Sequence, residues 1–218
     1  MVMRKLLAPV VVFLLKKMNL YSLYRLKKGS QLRNAGWFES FRLGVPIDGE
    51  GNPIPWMTYP AISFLEKRIK DGMTIFEYSC GNSTLWWAKH VKKLVSCEHD
   101  REWYARMAKL IPDHVELHQI DLQYGGGYCR KISEYTDAFD VIVIDGRDRV
   151  NCAKNCLNAL KKNGVIIWDN SDREAYAEGY DFLIQNGYKR IDFEGMGPVN
   201  EMSWCTSIFY KEENCLNI

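Results

Sequence analysis

The sequence predicts an α/β protein built on a doubly wound, mostly parallel sheet, and three observations predict it. Short apolar runs rich in Val and Ile alternate with helix-like segments between residues 73 and 186. Several of these runs end in an acidic residue, as at Glu98, Asp145 and Asp169. The pattern then changes to two strand-like runs, Tyr188–Phe193 and Thr206–Tyr210, joined by Gly195–Trp204 with no room for a crossover helix. Parallel neighbours need such a crossover, so these two are expected to be an antiparallel pair.

The 218 residues suit one domain, 61–218, with an N-terminal helical and loop extension, 1–60. Residues 1–43 hold nine Lys or Arg against Glu39 alone, which leaves 20 of the 29 bases and 26 of the 27 acids for the rest. That acidic body argues against a nucleic-acid partner. Seven scattered cysteines with no C-x-x-C pair predict reduced thiols and a cytoplasmic setting. Cys152 and Cys156 share a helical face and are expected to pack on the sheet.

Leu6–Leu15 is apolar, interrupted by Pro9 and flanked by Arg4-Lys5 and Lys16-Lys17. A spanning helix takes about twenty apolar residues, so this stretch is too short to cross a bilayer. With Met18–Leu26 it reads as a basic amphipathic helix. Residues 1–28 either lie on the inner face of an anionic membrane or pack on the domain or a partner subunit, including a second copy. Gly29–Pro60 reads as an ordered loop with turn signals at Asp48-Gly49 and Gly51-Asn52-Pro53, and Trp37 and Trp56 either line an acceptor pocket or cover the sheet end. A helix follows at Ala61–Lys70. Strands are expected at Met73–Ser79, Leu94–Glu98, Val115–Ile120, Asp140–Ile144 and Val165–Trp168. Helices are expected at Thr84–Val91, Arg101–Ile111, Arg130–Tyr135, Arg149–Lys161 and Arg173–Asn186. Right-handed crossovers bring the strands' carboxyl ends to one rim, with Glu77, Glu98, Asp121, Asp145 and Asp169 along it.

Met73–Thr84 carries the strongest functional signal, a strand that breaks at Ser79-Cys80-Gly81-Asn82-Ser83 and turns into a helix. Free backbone N–H groups are expected there, with Gly81 as the point of closest approach to a ligand. Glu98, 17 positions after Gly81, ends the next strand, where a carboxylate can accept both hydroxyls of a ribose. Glu77-Tyr-Ser-Cys-Gly-Asn-Ser-Thr, followed by Glu98, Asp121 and Asp145, resembles the motif series of class I S-adenosylmethionine-dependent methyltransferases, whose Rossmann-like sheet ends in a reversed strand. The resemblance covers 61–211. It implies that Glu77, Ser79, Gly81 and Ser83 hold the methionyl and ribose parts of S-adenosylmethionine, that Glu98 takes the ribose hydroxyls, that His99 flanks the ring and that Asp121 accepts from the adenine amino group. Ser79 stands where the family usually has its first glycine, and a serine is tolerated there if its φ is negative.

Asp145 and Trp168-Asp169-Asn170 end strands four and five. They are similar to the metal pattern of catechol-type O-methyltransferases, which implies a Mg²⁺ held by Asp145, Asp169 and Asn170. The alternatives are that Asp145 binds the donor or acts as general base, and that Asp169 caps a helix. Arg147 and Arg149 either hold an anionic acceptor or are solvated charges. Tyr124-Gly-Gly-Gly-Tyr128 reads as a mobile lid or a flexible connection. The expected activity is methyl transfer to the oxygen of a small molecule or glycan, including a lipid-linked saccharide, as the general look of bacterial surface-polysaccharide methyltransferases suggests. The rivals are an NAD-dependent oxidoreductase, disfavoured because no G-x-G-x-x-G is present, and a methyltransferase-like domain that binds without turnover.

Overall fold

The computed structural model describes the backbone of residues 2–218 and the side chains of residue 9 and of 11–218. Its centre is a seven-stranded sheet formed by β1 (Thr74–Tyr78), β2 (Lys93–Glu98), β3 (Val115–Gln119), β4 (Phe139–Ile144), β5 (Leu160–Asp169), β6 (Lys189–Gly195) and β7 (Trp204–Tyr210), in the order β3-β2-β1-β4-β5-β7-β6. The first five strands run parallel, and β7 pairs antiparallel with both β5 and β6, as the short Gly195–Trp204 connection requires.

Helices cover both faces, so the central strands are buried on both sides and mostly apolar rather than alternating. One face packs Phe76, Tyr78, Ile142, Ile144 and Trp168 against α8 (Gly127–Arg130), α9 (Arg149–Cys156) and α10 (Ala177–Gln185), with Cys152 and Cys156 fully buried as expected. The other packs Ile75, Val141, Val143 and Ile167 against α5 (Tyr59–Glu66) and α6 (Asn82–Ala88). Trp87 of α6 is fully buried there. Burying such a side chain stabilises by about 2–3 kcal/mol.

Element ends moved where local chemistry intervenes. Helix α7 (Arg101–Met107) starts where Asp100 caps it, its Oδ1 accepting from the Trp103 N–H at 2.8 Å, and it stops short of Ile111. The segment expected as one helix over Arg130–Tyr135 is the end of α8 followed by a 3₁₀ turn, Lys131–Glu134. Strand β5 starts at Leu160, which takes Lys161 out of the helix before it.

The extension is more helical than its composition suggested. Helix α1 (Val2–Lys17) runs through Pro9, and Asn19, at φ 57°, separates it from α2 (Tyr21–Lys28). Two short helices, α3 (Gln31–Asn34) and α4 (Trp37–Leu43), replace part of the expected loop, too short to show a periodicity. Asp48 makes the expected turn, accepting from the N–H groups of Glu50 and Asn52. The segment then locks to the domain: Asn82 Nδ2 donates to Pro46 O at 2.7 Å, and Thr58 N–H donates to Thr206 Oγ1 at 3.2 Å.

Candidate functional site

The break after β1 lies at the rim, but its backbone is committed. The N–H of Ser79 donates to Cys97 O at 2.8 Å, that of Cys80 to Glu98 Oε2 at 3.1 Å, and that of Gly81 to Thr84 Oγ1 at 2.9 Å. The free N–H groups expected at this turn are therefore not free at 79–81. Ser79 has φ 94°, so the serine takes the left-handed conformation of a glycine instead of the negative φ expected of it. No side-chain hydrogen bond compensates that strain among those described. Strain of this kind persists where the surroundings over-determine the backbone, as at ligand sites.

Gly81 behaves differently. Its φ of 168° is open to any residue, and an added Cβ would meet only Trp103 Cζ2, at 3.9 Å. Neither backbone nor packing needs a glycine there, and the space that it leaves belongs to the cleft.

Glu77 does not face that cleft. It is fully buried beneath the turn, accepting from Thr84 Oγ1 (2.5 Å), Ser96 Oγ (3.1 Å) and Trp87 Nε1 (3.1 Å). Burial pushes its carboxyl up to about 7, against the pull of these donors and of Ser83. It ties α6 to β1 and β2. This corrects the placement of Glu77 against a donor: β1 is covered on both faces, and Glu77 points toward the α6 side. Ser83, on α6, does line the cleft.

Glu98 is 2% exposed and sits at the end of β2, its Oε1 accepting from the N–H groups of His99 (2.7 Å) and Asp100 (2.9 Å). His99 Nδ1 lies 2.9 Å from the same oxygen but makes no hydrogen bond to it, which leaves that buried nitrogen without a partner among the described residues. Asp121 is elsewhere. β3 is the sheet's edge strand, and the Asp121 side chain beyond it is 64% exposed and paired with Arg101, which holds its carboxyl down to about 2. It borders neither half of the cleft described below, so the structure does not bring it to the other predicted donor residues.

The cleft has two communicating halves. The first, about 490 Å³, is bordered by Glu98, His99, Asp100, Arg147 and Tyr176. The second, about 380 Å³, is bordered by Gly81, Asn82, Ser83, Asn200 and, from the extension, Val45, Pro46 and Trp56. Ser79, Trp103, Asp145, Arg149, Asn170 and Arg173 border both. Trp56 is thus a cleft residue, whereas Trp37 anchors the extension by donating from Nε1 to Asn200 O at 2.8 Å. Cys80 reaches the second half as well, but burial and the Glu98 charge push its thiol far up, which removes it as a thiolate nucleophile.

Asp145 and Asp169 meet at the cleft floor across Arg149. Arg149 Nη2 donates to Asp145 Oδ1 at 3.0 Å and Nη1 to the Asp169 backbone carbonyl. Asp169 is 2% exposed, its Oδ1 accepting from Trp204 Nε1 (2.9 Å) and Thr206 Oγ1 (2.5 Å). Burial pushes both carboxyls up, Asp145 the more so because the Asp169 charge adds to it, and Arg149 opposes the rise in both. Asp145 keeps 20% of its side chain open to the cleft. The guanidinium already occupies the place of a cation here, and among the described residues no three His, Cys, Asp or Glu side chains are grouped to hold a metal. The proposed set of Asp145, Asp169 and Asn170 does not fit Mg²⁺.

Sequence reasoning missed Trp103, which donates from Nε1 to Cys80 O at 2.7 Å and clamps the turn. It also left the buried Arg149 as an open choice and gave Arg173 no role in the cleft. The Tyr124–Tyr128 stretch is pinned rather than free: Gly125 N–H donates to Asp148 Oδ2 at 2.8 Å, and Tyr128 is fully buried, its ring 5.8 Å from His99.

Residues 78–171, from the end of β1 to just past β5, match the family model described as a methyltransferase domain. Residues 78–171, under half of the chain, are thus similar to methyltransferase domains. Solved structures share its fold. A precorrin-6y C5,15-methyltransferase from Geobacter metallireducens superposes with a TM-score of 0.55 at 14% identity over 70% of this chain and 87% of that one. A Klebsiella pneumoniae protein assigned as an O-methyltransferase gives 0.52 at 18% identity over 88% and 94%. Spermidine synthase from Thermotoga maritima gives 0.51 at 18% identity over 74% and 59%, so the fold by itself does not fix the group transferred. A search of curated protein sequences returns no match. The matched stretch holds the parallel strands β2, β3, β4 and β5, the end of β1 and the turn after it, whereas the reversed β7 lies beyond it.

Proposed function

We propose that the protein transfers a methyl group from S-adenosylmethionine to an oxygen of a small-molecule or glycan acceptor. The observation that carries this is Gly81, a glycine that neither its own backbone nor its neighbours require, set where the cleft reaches the turn after β1. In this reading Glu98, fixed by backbone N–H groups, accepts the ribose hydroxyls with its remaining lone pairs. His99 and the Trp103 face border the purine, and Ser79, Gly81 and Ser83 border the methionyl part.

The donor supplies an electrophilic methyl group on a sulfonium, which leaves as a neutral thioether. The protein's part is to align the acceptor and remove its proton. Asp145 is suited to removing the proton, because burial and the Asp169 charge make its carboxyl a stronger base than an ordinary carboxylate and an edge of it is open to the cleft. It takes the hydroxyl proton as the acceptor oxygen bonds to the methyl carbon. Asp169, tied to Trp204 and Thr206, shapes the wall instead. Asn170, Asn200 and Arg173 offer polar contacts to a hydroxyl-rich acceptor, with Trp56 as an apolar surface.

Calorimetric titration of wild type, Gly81→Ala and Asp145→Asn with S-adenosylmethionine and, separately, NAD tests the reading. Glu98→Ala is a poor probe, because it strips partners from three backbone N–H groups. Wild type is expected to bind S-adenosylmethionine and not NAD, Gly81→Ala to lose affinity at least tenfold while melting as wild type does, and Asp145→Asn to keep donor binding. Once an acceptor is known, Asp145→Asn should lose about 10²–10⁴-fold in kcat. Preferential binding of NAD, or full affinity in Gly81→Ala, refutes the assignment. Full turnover in Asp145→Asn removes the base.

A further inference from the structure

Helices α1 and α2 lie outside the stretch that is similar to methyltransferase domains. No residue of α2 is buried, and the main contacts of this arm are α1 with α2 and α2 with α3. Phe13, Leu14, Met18, Leu20, Leu23 and Leu26 expose 38–64% of their surface. Such a concentration of apolar side chains facing water marks a surface that another phase or molecule covers.

Charge decides which. No acidic residue precedes Glu39, whereas Lys16, Lys17, Arg25, Lys27 and Lys28 are interleaved with the apolar side chains, and Arg4 and Lys5 precede them. Two copies meeting through this arm would set the same bases against each other. An anionic lipid surface accepts both parts, the bases at the headgroups and the leucines below them. The tyrosines fit the same level: Lys16 Nζ lies 5.3 Å from the Tyr21 ring centre and Lys28 Nζ 5.4 Å from that of Tyr24, an amphipathic ring beside an ammonium as in an interfacial belt. Among the described residues no helix is long and apolar enough to cross a membrane, so the arm lies in the surface rather than through it.

The arm also leads to the cleft. After α4 the chain passes through Gly44, Val45 and Pro46, which border its second half. Phe41, Leu43, Val45 and Trp56 each expose 41–49% of their surface along this path.

We infer that the α1–α2 arm docks the protein on an anionic membrane surface, with the acceptor side of the cleft at the headgroup level. The acceptor is then a membrane-anchored amphiphile whose polar head enters past Trp56. That last step rests on the methyltransferase reading, whereas docking does not.

The test is sedimentation of the full chain with phosphatidylcholine vesicles, with and without phosphatidylglycerol, beside the Leu23→Asp variant and the double variant Lys27→Glu with Lys28→Glu. Wild type is expected to partition at least tenfold better into the anionic vesicles, with the preference lost in high salt as the charges are screened. Both variants should lose about tenfold or more while binding S-adenosylmethionine as wild type does. Equal partition into both vesicles, no partition, or a dimer in the ultracentrifuge that Leu23→Asp dissolves in place of vesicle binding each overturns docking. Failure of S-adenosylmethionine to bind wild type removes the acceptor claim and leaves the vesicle result standing.

Discussion

Glu77 shows how a site residue read from a motif can be a structural one. Its carboxylate holds Thr84, Trp87 and Ser96 together under the turn that Gly81 ends. Because its folded pKa is raised from 4.5 to about 7, the native state keeps a proton that the unfolded chain releases. Its contribution to stability is therefore full below about pH 4.5 and falls as pH rises to about 7. Glu77→Gln removes this dependence, so its melting temperature should vary less than that of wild type between pH 5 and 7. The amide can still accept from Thr84 and Ser96, but its NH₂ then faces the Trp87 N–H and leaves a buried donor unpaired. That mismatch costs about 1–3 kcal/mol, read by urea denaturation at pH 5. Equal pH dependence in the two proteins would refute the titration of Glu77.

At the scale of elements, the cleft is built by strand ends that the sequence marked and by side chains that it did not. Asp145 and Asp169 were legible because an acid closing an apolar run at the end of a parallel strand can only lie on the rim. Asp121 obeys the same pattern at the end of the edge strand β3, but its exposed side chain is paired with Arg101 and borders neither half of the cleft, a pairing that no local pattern records. Arg149 and Trp103 were illegible for a related reason. An arginine opening a helix reads as a surface charge unless one knows that a carbonyl from β5 faces it. Trp103 lies in the first turn of α7 and reaches across to Cys80 only because β1 and β2 are neighbours. Trp103→Phe keeps the ring and loses this bond, and Trp103→Ala loses both. We expect the first to weaken S-adenosylmethionine binding several-fold and the second by about 1–3 kcal/mol, on the scale of a lost base–aromatic stack. Equal affinities in wild type and Trp103→Ala would show that the indole only braces the turn.

For the whole molecule, the sheet and the extension divide the labour. Two cores on the faces of one sheet carry the fold, while residues 37–60 are bonded to the domain by Trp37, Asn82 and Thr58. The arm before them contributes no buried residue from α2. Deleting residues 1–28 should leave the melting temperature within about 2 °C of wild type, since single-domain stability follows the buried core. A larger drop, measured by calorimetry, would mean that the arm packs on the domain after all.

Strand β7 has a consequence for how the protein is made. It follows every other strand in the chain, yet it lies inside the sheet, between β5 and β6, and it brings Trp204 and Thr206 to Asp169. On the ribosome, the parallel strands and α1 and α2 emerge long before that wedge can insert. Until it does, one wall of the cleft is missing and the edge of β5 stands unpaired. A nascent or prematurely ended chain thus presents the arm that we propose for docking before its cleft is whole, and completion of the cleft waits on the synthesis of Trp204–Tyr210.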